Sequence, residues 1–208
     1  MDRYPASRIT VYSVLTAICL AVDLGSKSVI FSRLGGPFQS TGWYLDGWLK
    51  FELHTSLNQG ALWGFGQGYA LWFAGLSVVA FAGIVFWLFF RGAAASLWLT
   101  SALGLISGGT LGNLYDRLGL HGESFPGNDR VALAVRDFLH FQLGPLDWAI
   151  FNLADSFLVI GAAMLFVQSF QNDAPANSAA VPADDSGPDS QGCETQISII
   201  GPEGEPVF

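Results

Sequence analysis

The sequence predicts an all-α membrane protein, with four transmembrane helices and strand-like pieces confined to the loops between them. Three observations carry this. Charged residues make up 12% of the chain, about half the usual share of a soluble domain, while hydrophobic residues make up 51%. Four apolar runs each approach or exceed the ~20 residues that cross a bilayer. The net charge of −8 is local: residues 171–208 hold seven of the 17 acids and none of the nine Lys and Arg, leaving ten acids against nine bases elsewhere. With no basic stripe along the chain, nothing points to a nucleic-acid partner.

The first run, about 9–31, follows Arg3 and Arg8 and carries Asp23 and Lys27. Those two charges, and the lack of a small-x-small site, argue for a retained helix rather than a cleaved leader. Thr16-Ala17-Ile18-Cys19 is a poor lipid-attachment box, because bulky Ile18 stands where a small residue is needed. The second run, 69–90, and the third, 93–115, hold no acids, and the Arg91-Gly92 link allows only a tight antiparallel hairpin. The third ends Gly108-Gly109-Thr110-Leu111-Gly112-Asn113, whose glycines permit close helix contact. The fourth, 148–170, has Asp155 as its only charge.

In the loops, residues 48–53 and 131–141 read as strand-like and Asn58-Gln59-Gly60 as a turn. Trp43, Tyr44, Trp48 and Trp63 suit a membrane interface. Arg3, Arg8 and Arg91 place both termini in the cytoplasm by the positive-inside rule, although Arg33, Lys50, Arg117, Arg130 and Arg136 in the outward loops pull mildly the other way. Residues 171–208, rich in Pro, Ser and Asp, read as a disordered acidic tail. Cys19 and Cys193 suggest neither a disulfide framework nor a metal site. No His/Cys cluster has zinc spacing, and His54, His121 and His140 read as ordinary loop residues.

The chemistry starts from Asp155. A carboxylate near the centre of a membrane helix costs roughly 2.5–3.5 kcal/mol. Taken as a helix from Trp148, the run puts Asp155 about 10 Å in, where it needs a partner. Asp23 has Lys27 one turn on and reads as half of an ion pair. Asp116 adjoins Arg117 and reads as another internal pair. Asp137 has only Arg136 adjacent, which points to the opposite strand face. Asp137 and Asp155 are therefore the least compensated carboxylates. Brought together in a water-poor site they cannot both ionise, and the pair offers a base and an acid at once.

At these residues the sequence resembles the lipoprotein signal peptidase (signal peptidase II) family, over about residues 9–170. Asp23-Leu24-Gly25-Ser26-Lys27 resembles the family's Asp-Gln-x-x-Lys box, with Leu24 in place of Gln. Asn58-Gln59-Gly60-Ala61-Leu62-Trp63-Gly64 resembles its Asn-x-Gly-Ala-Ala-Phe box, and 108–118 its Gly-Gly-Ala-x-Gly-Asn-x-x-Asp-Arg box. Val135-Arg136-Asp137-Phe138 and Phe151-Asn152-Leu153-Ala154-Asp155-Ser156 match the last two. The resemblance implies a catalytic dyad at Asp137 and Asp155. It implies site support or substrate contact at Asp23, Lys27, Asn58, Gly60, Gly109, Asn113, Arg117, Asn152 and Ala154. It further implies a small β-rich extracytoplasmic cradle and an amphipathic helix from loop 32–68, and an active site facing out of a bacterial inner membrane. The expected substrate is a diacylglyceryl-modified prolipoprotein met among membrane lipid. No cofactor or metal is implied, and a monomer suffices. Which Asp is base and which acid stays open, and the 118–134 insertion looks long.

Plainer readings compete. Asp155 could be a structural carboxylate at a helix start, Asp137 a solvated loop acid, Asn58 only a turn residue. A proton channel using Asp23, Lys27 and Asp155 is a rival class, though no inverted repeat supports it. A scaffold that binds a partner through the acidic tail is another.

Overall fold

Helix α2 (Ala70–Phe90) is apolar on every side. Such a helix belongs in a protein core or in lipid. Its side chains decide the case, with Trp72, Val79 and Phe90 being 74%, 69% and 73% exposed. Helices α1 (Ala6–Leu34) and α4 (Leu153–Asn172) likewise present outward apolar faces, through Ile18 and Val29, and through Val159 and Phe166. All three are long and apolar enough to cross a membrane. The fold comes from a computed structural model that describes residues 6–60, 66–91, 94 and 96–172. The expected acidic tail from residue 173 on lies outside the described residues.

Helix α3 (Leu97–Arg117) completes the set, but it is not among the three with membrane-spanning hydropathy. The reason is its position. It packs against α1, α2 and α4 and carries a small, polar stripe in place of apolar bulk. A Cβ on Gly108 would strike the Cys19 side chain and the Thr16 carbonyl of α1. One on Gly109 would strike the Ala154 carbonyl and Leu158 of α4. Hydrogen bonds then replace side-chain volume: Tyr12 Oη and Ser107 Oγ lie 2.8 Å apart, and Thr16 donates to the Gly104 carbonyl.

The loops build one antiparallel sheet, β1 (Leu45–Asp46), β2 (Leu49–Asn58), β3 (Val135–Leu143) and β4 (Leu146–Asp147), paired in that order. The β-rich part is therefore shared by both long loops rather than drawn from 32–68 alone. β2 and β3 pair from Leu49↔Leu143 to Asn58↔Val135, with a bulge between Leu53 and Ser56. The amphipathic helix expected in 32–68 is absent among its described residues, and 61–65 lie outside them. The sheet packs on the helix ends through Phe31, Leu57, Ala134 and Phe138. A second core, of Tyr12, Leu88, Ala94 and Leu103, closes the opposite end.

Two local expectations change. The fourth helix starts at Leu153, not at Trp148. Residues 148–152 are not helical, and Phe151 bridges to Leu139, exchanging backbone hydrogen bonds with β3. Asp155 thus sits in the first turn of α4 rather than two turns deep. The histidines are not loose loop residues either. His54 and His140 lie on β2 and β3, and His121 bridges the Ala134 carbonyl and the Glu123 N–H within the 118–134 insertion.

Candidate active site

The site grows from the start of α4. Asn152 and Asp155 form a reciprocal cap: the Asp155 N–H donates to Asn152 Oδ1 at 3.1 Å, and the Asn152 N–H donates to Asp155 Oδ2 at 3.2 Å. A third helix-start amide, Ala154 N–H, donates to Asp23 Oδ1 of α1 at 2.9 Å. The positive end of the helix dipole favours negative charge at Asp155.

Behind the cap lies a closed ionic network. Lys27, fully buried, places Nζ 2.7 Å from Asp23 Oδ2, 3.1 Å from Asp116 Oδ2 and 3.0 Å from Asn113 Oδ1, donating to Asp23 and Asn113 and pairing by charge with Asp116. Arg136 adds the second positive charge, donating Nη2 and Nε to Asp116 Oδ1 at 2.9 and 3.1 Å and its backbone N–H to Asp116 Oδ2. Two acids thus face two bases, the condition under which buried charge is tolerated. The expected Asp116–Arg117 pair does not form. Consecutive helix residues point about 100° apart, so Asp116 turns inward to Lys27 and Arg136 while Arg117 turns to the cavity.

The amides transmit this order to the two carboxylates. Because Asn113 offers its oxygen to Lys27, its Nδ2 faces Asp155 Oδ1, at 2.8 Å. Asn152 Nδ2 donates to Asp137 Oδ1 at 2.5 Å and to Asn113 Oδ1 at 3.3 Å. Asn58 Nδ2 donates to Asp137 Oδ2 at 3.2 Å. Asn152 therefore touches both acids, through its amide nitrogen on one side and its capping oxygen on the other. Asp137 is 2% exposed. Burial first, and the charge of Asp155 second, push its carboxyl from an ordinary 3.8 up to about 8.

Asp137 and Asp155 line one cavity of about 450 Å³, open on one side, with Asn58, Gly60, Thr110, Asn113 and Arg117. Apart from Ser77, its remaining wall is apolar, including Phe73, Leu76, Leu158 and Val159. Arg117 lies 5.6 Å from the Phe73 ring centroid, and its buried Nε has no hydrogen-bond partner. Among the other predicted site residues, Asp23 and Lys27 stand behind the carboxylates, and Gly109 and Ala154 form the α3–α4 contact. Arg136 was not singled out from sequence. Strand alternation gave its direction, but its partner lies 20 residues away and no local pattern names it.

Fold and site together define a class: a helical membrane protein with a paired-carboxylate cavity where its helices meet a small sheet. A family model described as signal peptidase (SPase) II matches residues 15–171, and the chain belongs to that family. A lipoprotein signal peptidase of Rhodopirellula baltica is 46% identical over 170 residues, covering 80% of this chain and 74% of that protein. One of Bacillus pumilus is 33% identical over 159 residues, covering 76% and 90%. The fold is also similar to a bacterial membrane enzyme solved by the in meso method at 2.3 Å resolution, with a TM-score of 0.67 and 22% identity over 83% of this chain and 95% of that one.

Proposed function

We propose that this chain is an intramembrane aspartic endopeptidase that removes signal peptides from prolipoproteins, cutting just before a cysteine that carries a diacylglyceryl group. The names of its relatives support the substrate class. One observation supports the chemistry above the rest: two acids from different elements line a single cavity, in which burial and the neighbouring Asp155 charge push the Asp137 carboxyl up to about 8.

Asp155, which starts α4 and accepts the Asn152 N–H and Asn113 Nδ2, acts as the base. It takes a proton from water, and the water oxygen attacks the carbonyl before the lipidated cysteine. Asp137, protonated, donates a hydrogen bond to that carbonyl oxygen and stabilises the charge that develops there. As the C–N bond breaks, the proton held by Asp155 passes to the leaving nitrogen, and the pair again shares one proton. Asn152, Asn113 and Asn58 hold the two carboxyls in register, while Arg117 offers a donor to a substrate carbonyl. The apolar wall accepts the signal helix, and the open side meets the bilayer.

In this reading all four helices cross the inner membrane of a bacterium. Helix α3 needs less apolar surface because its neighbours cover it. α1 runs parallel to α3, with Thr16 at Gly104 and Lys27 at Asn113, while α4 runs antiparallel. Arg8 and Arg91 therefore share one end, assigned to the cytoplasm, and the sheet and carboxylates face outward. One copy supplies every group named, so a monomer suffices.

The test is cleavage of a lipidated prolipoprotein by the purified chain in detergent. D137N and D155N should each lower the rate by about 10³-fold or more. Cleavage within tenfold of wild type in either variant would end the dyad reading.

A further inference from the structure

We infer that the sheet carries a second site, a zinc-type cation site formed by Glu52, His54 and His140. Glu52 and His54 are two residues apart on β2, so their side chains leave the same face. His140 stands opposite Glu52 on β3. His140 Nδ1 lies 2.8 Å and His54 Nδ1 3.4 Å from the same oxygen, Glu52 Oε1. All three ligand atoms lie within 4.8 Å of one another. Ligand atoms about 2.0–2.1 Å from a tetrahedral zinc are about 3.3 Å apart. His54 already has that spacing from Glu52 Oε1, and His140 would move about half an ångström away from that oxygen to reach it, while the two imidazoles stay within 4.8 Å of each other.

Two histidines and a glutamate form a donor set that holds zinc with a fourth position left for water. Their supports are in place. His140 Nε2 donates to Asp147 Oδ1 of β4 at 2.7 Å, the carboxylate-to-imidazole bond that aims the other ring nitrogen at a metal. The second oxygen of Glu52 accepts from Ser40 Oγ. The Trp43 ring lies 5.2 Å from that of His140, and the Glu52 and His140 side chains are 8% and 13% exposed. His140 has a carboxylate on each ring nitrogen, Glu52 at Nδ1 and Asp147 at Nε2. A divalent ion there also balances the charges of Glu52 and Asp147 and leaves the Asp147 bond intact. The site escapes sequence inspection because β-pairing, not spacing, brings His140 to His54, 86 residues away.

The ion would tie β2, β3 and β4 together, and β3 carries Asp137 three residues from His140, about 10 Å along the strand. Its role is to fix the register of that strand; it takes no part in amide hydrolysis. The site stands independently of the peptidase reading.

The experiment is a Co²⁺ titration of the full chain in detergent after chelator treatment, read by the visible bands of four-coordinate Co²⁺, with Zn²⁺ as competitor and thermal unfolding alongside. Wild type should bind one equivalent, Zn²⁺ should displace it, and Zn²⁺ should raise the melting temperature. H54A and H140A should weaken binding at least about tenfold, and D147N by about 10- to 100-fold. No saturable binding by wild type, or equal binding by wild type and H54A, would overturn the site and leave a proton-only clasp. H54A decides even if H140A fails to fold, because the His54 side chain is 34% exposed at the rim.

Discussion

At the scale of single residues, two carboxyls of the same chemistry differ because their backbones differ. Asp155 starts a helix and collects amide protons, whereas Asp137 sits in a buried strand. Asp137 has a folded value of about 8 against an ordinary 3.8, so its contribution to stability is complete below about pH 4 and is lost as pH rises through about 8. D137N should flatten this slope, as measured by thermal unfolding across that range. In the active protein the same proton sets the alkaline limb: prolipoprotein cleavage should decline with a midpoint near pH 8. Asn152 gives a sharper test, since it both caps α4 and holds Asp137. N152A should cost about 1 kcal/mol of stability and about 10²-fold in rate. N152S keeps a good cap but loses the amide donor, so it should regain the stability and not the rate. Recovery of both would show that capping alone is the function of Asn152.

At the scale of elements, the α3–α4 contact is the point of least tolerance. Gly109 faces the Ala154 carbonyl directly, so G109L must push the start of α4, and Asp155 with it, away from α3. Overpacking of this kind costs about 1–3 kcal/mol, and cleavage should fall further than melting temperature implies. The 118–134 insertion has its own fastening, with His121 Nε2 donating to the Ala134 carbonyl at 3.1 Å and Nδ1 accepting the Glu123 N–H at 2.9 Å. That bonding uses the neutral ring, and burial lowers the His121 value below its ordinary 6.5. Its stabilisation is complete above 6.5 and is lost as pH falls through the folded value. H121A should lower the melting temperature at about pH 7.5, by about 1 kcal/mol in stability, and should remove part of the loss that wild type shows on acidification. An unchanged acid response in H121A would assign that loss to other groups.

At the scale of the whole molecule, the buried network of Asp23, Lys27, Asp116 and Arg136 joins α1, α3 and β3 and backs the start of α4. Removing one charge leaves an unbalanced partner without water. K27M should destabilise the fold by about 3–5 kcal/mol, measured by thermal unfolding in detergent. K27M combined with D23N should recover part of that loss, whereas equal loss in both would argue against charge balance as the cause. By itself the sequence determined the apolar runs, the close-packed glycines, the Asp23–Lys27 pair and the two acids with no local partner, because each of these is written in spacing along a helix or strand or in hydropathy. It could not place the start of α4, since Trp148–Asn152 is as apolar as the helix it precedes and pairs with β3 instead of joining the helix. Nor could it find the Asp116–Arg136 pair, the double contact of Asn152 or the meeting of His54 with His140. Those depend on which strands and helices lie side by side, and contacts between residues far apart in the chain are decided by packing rather than by neighbours.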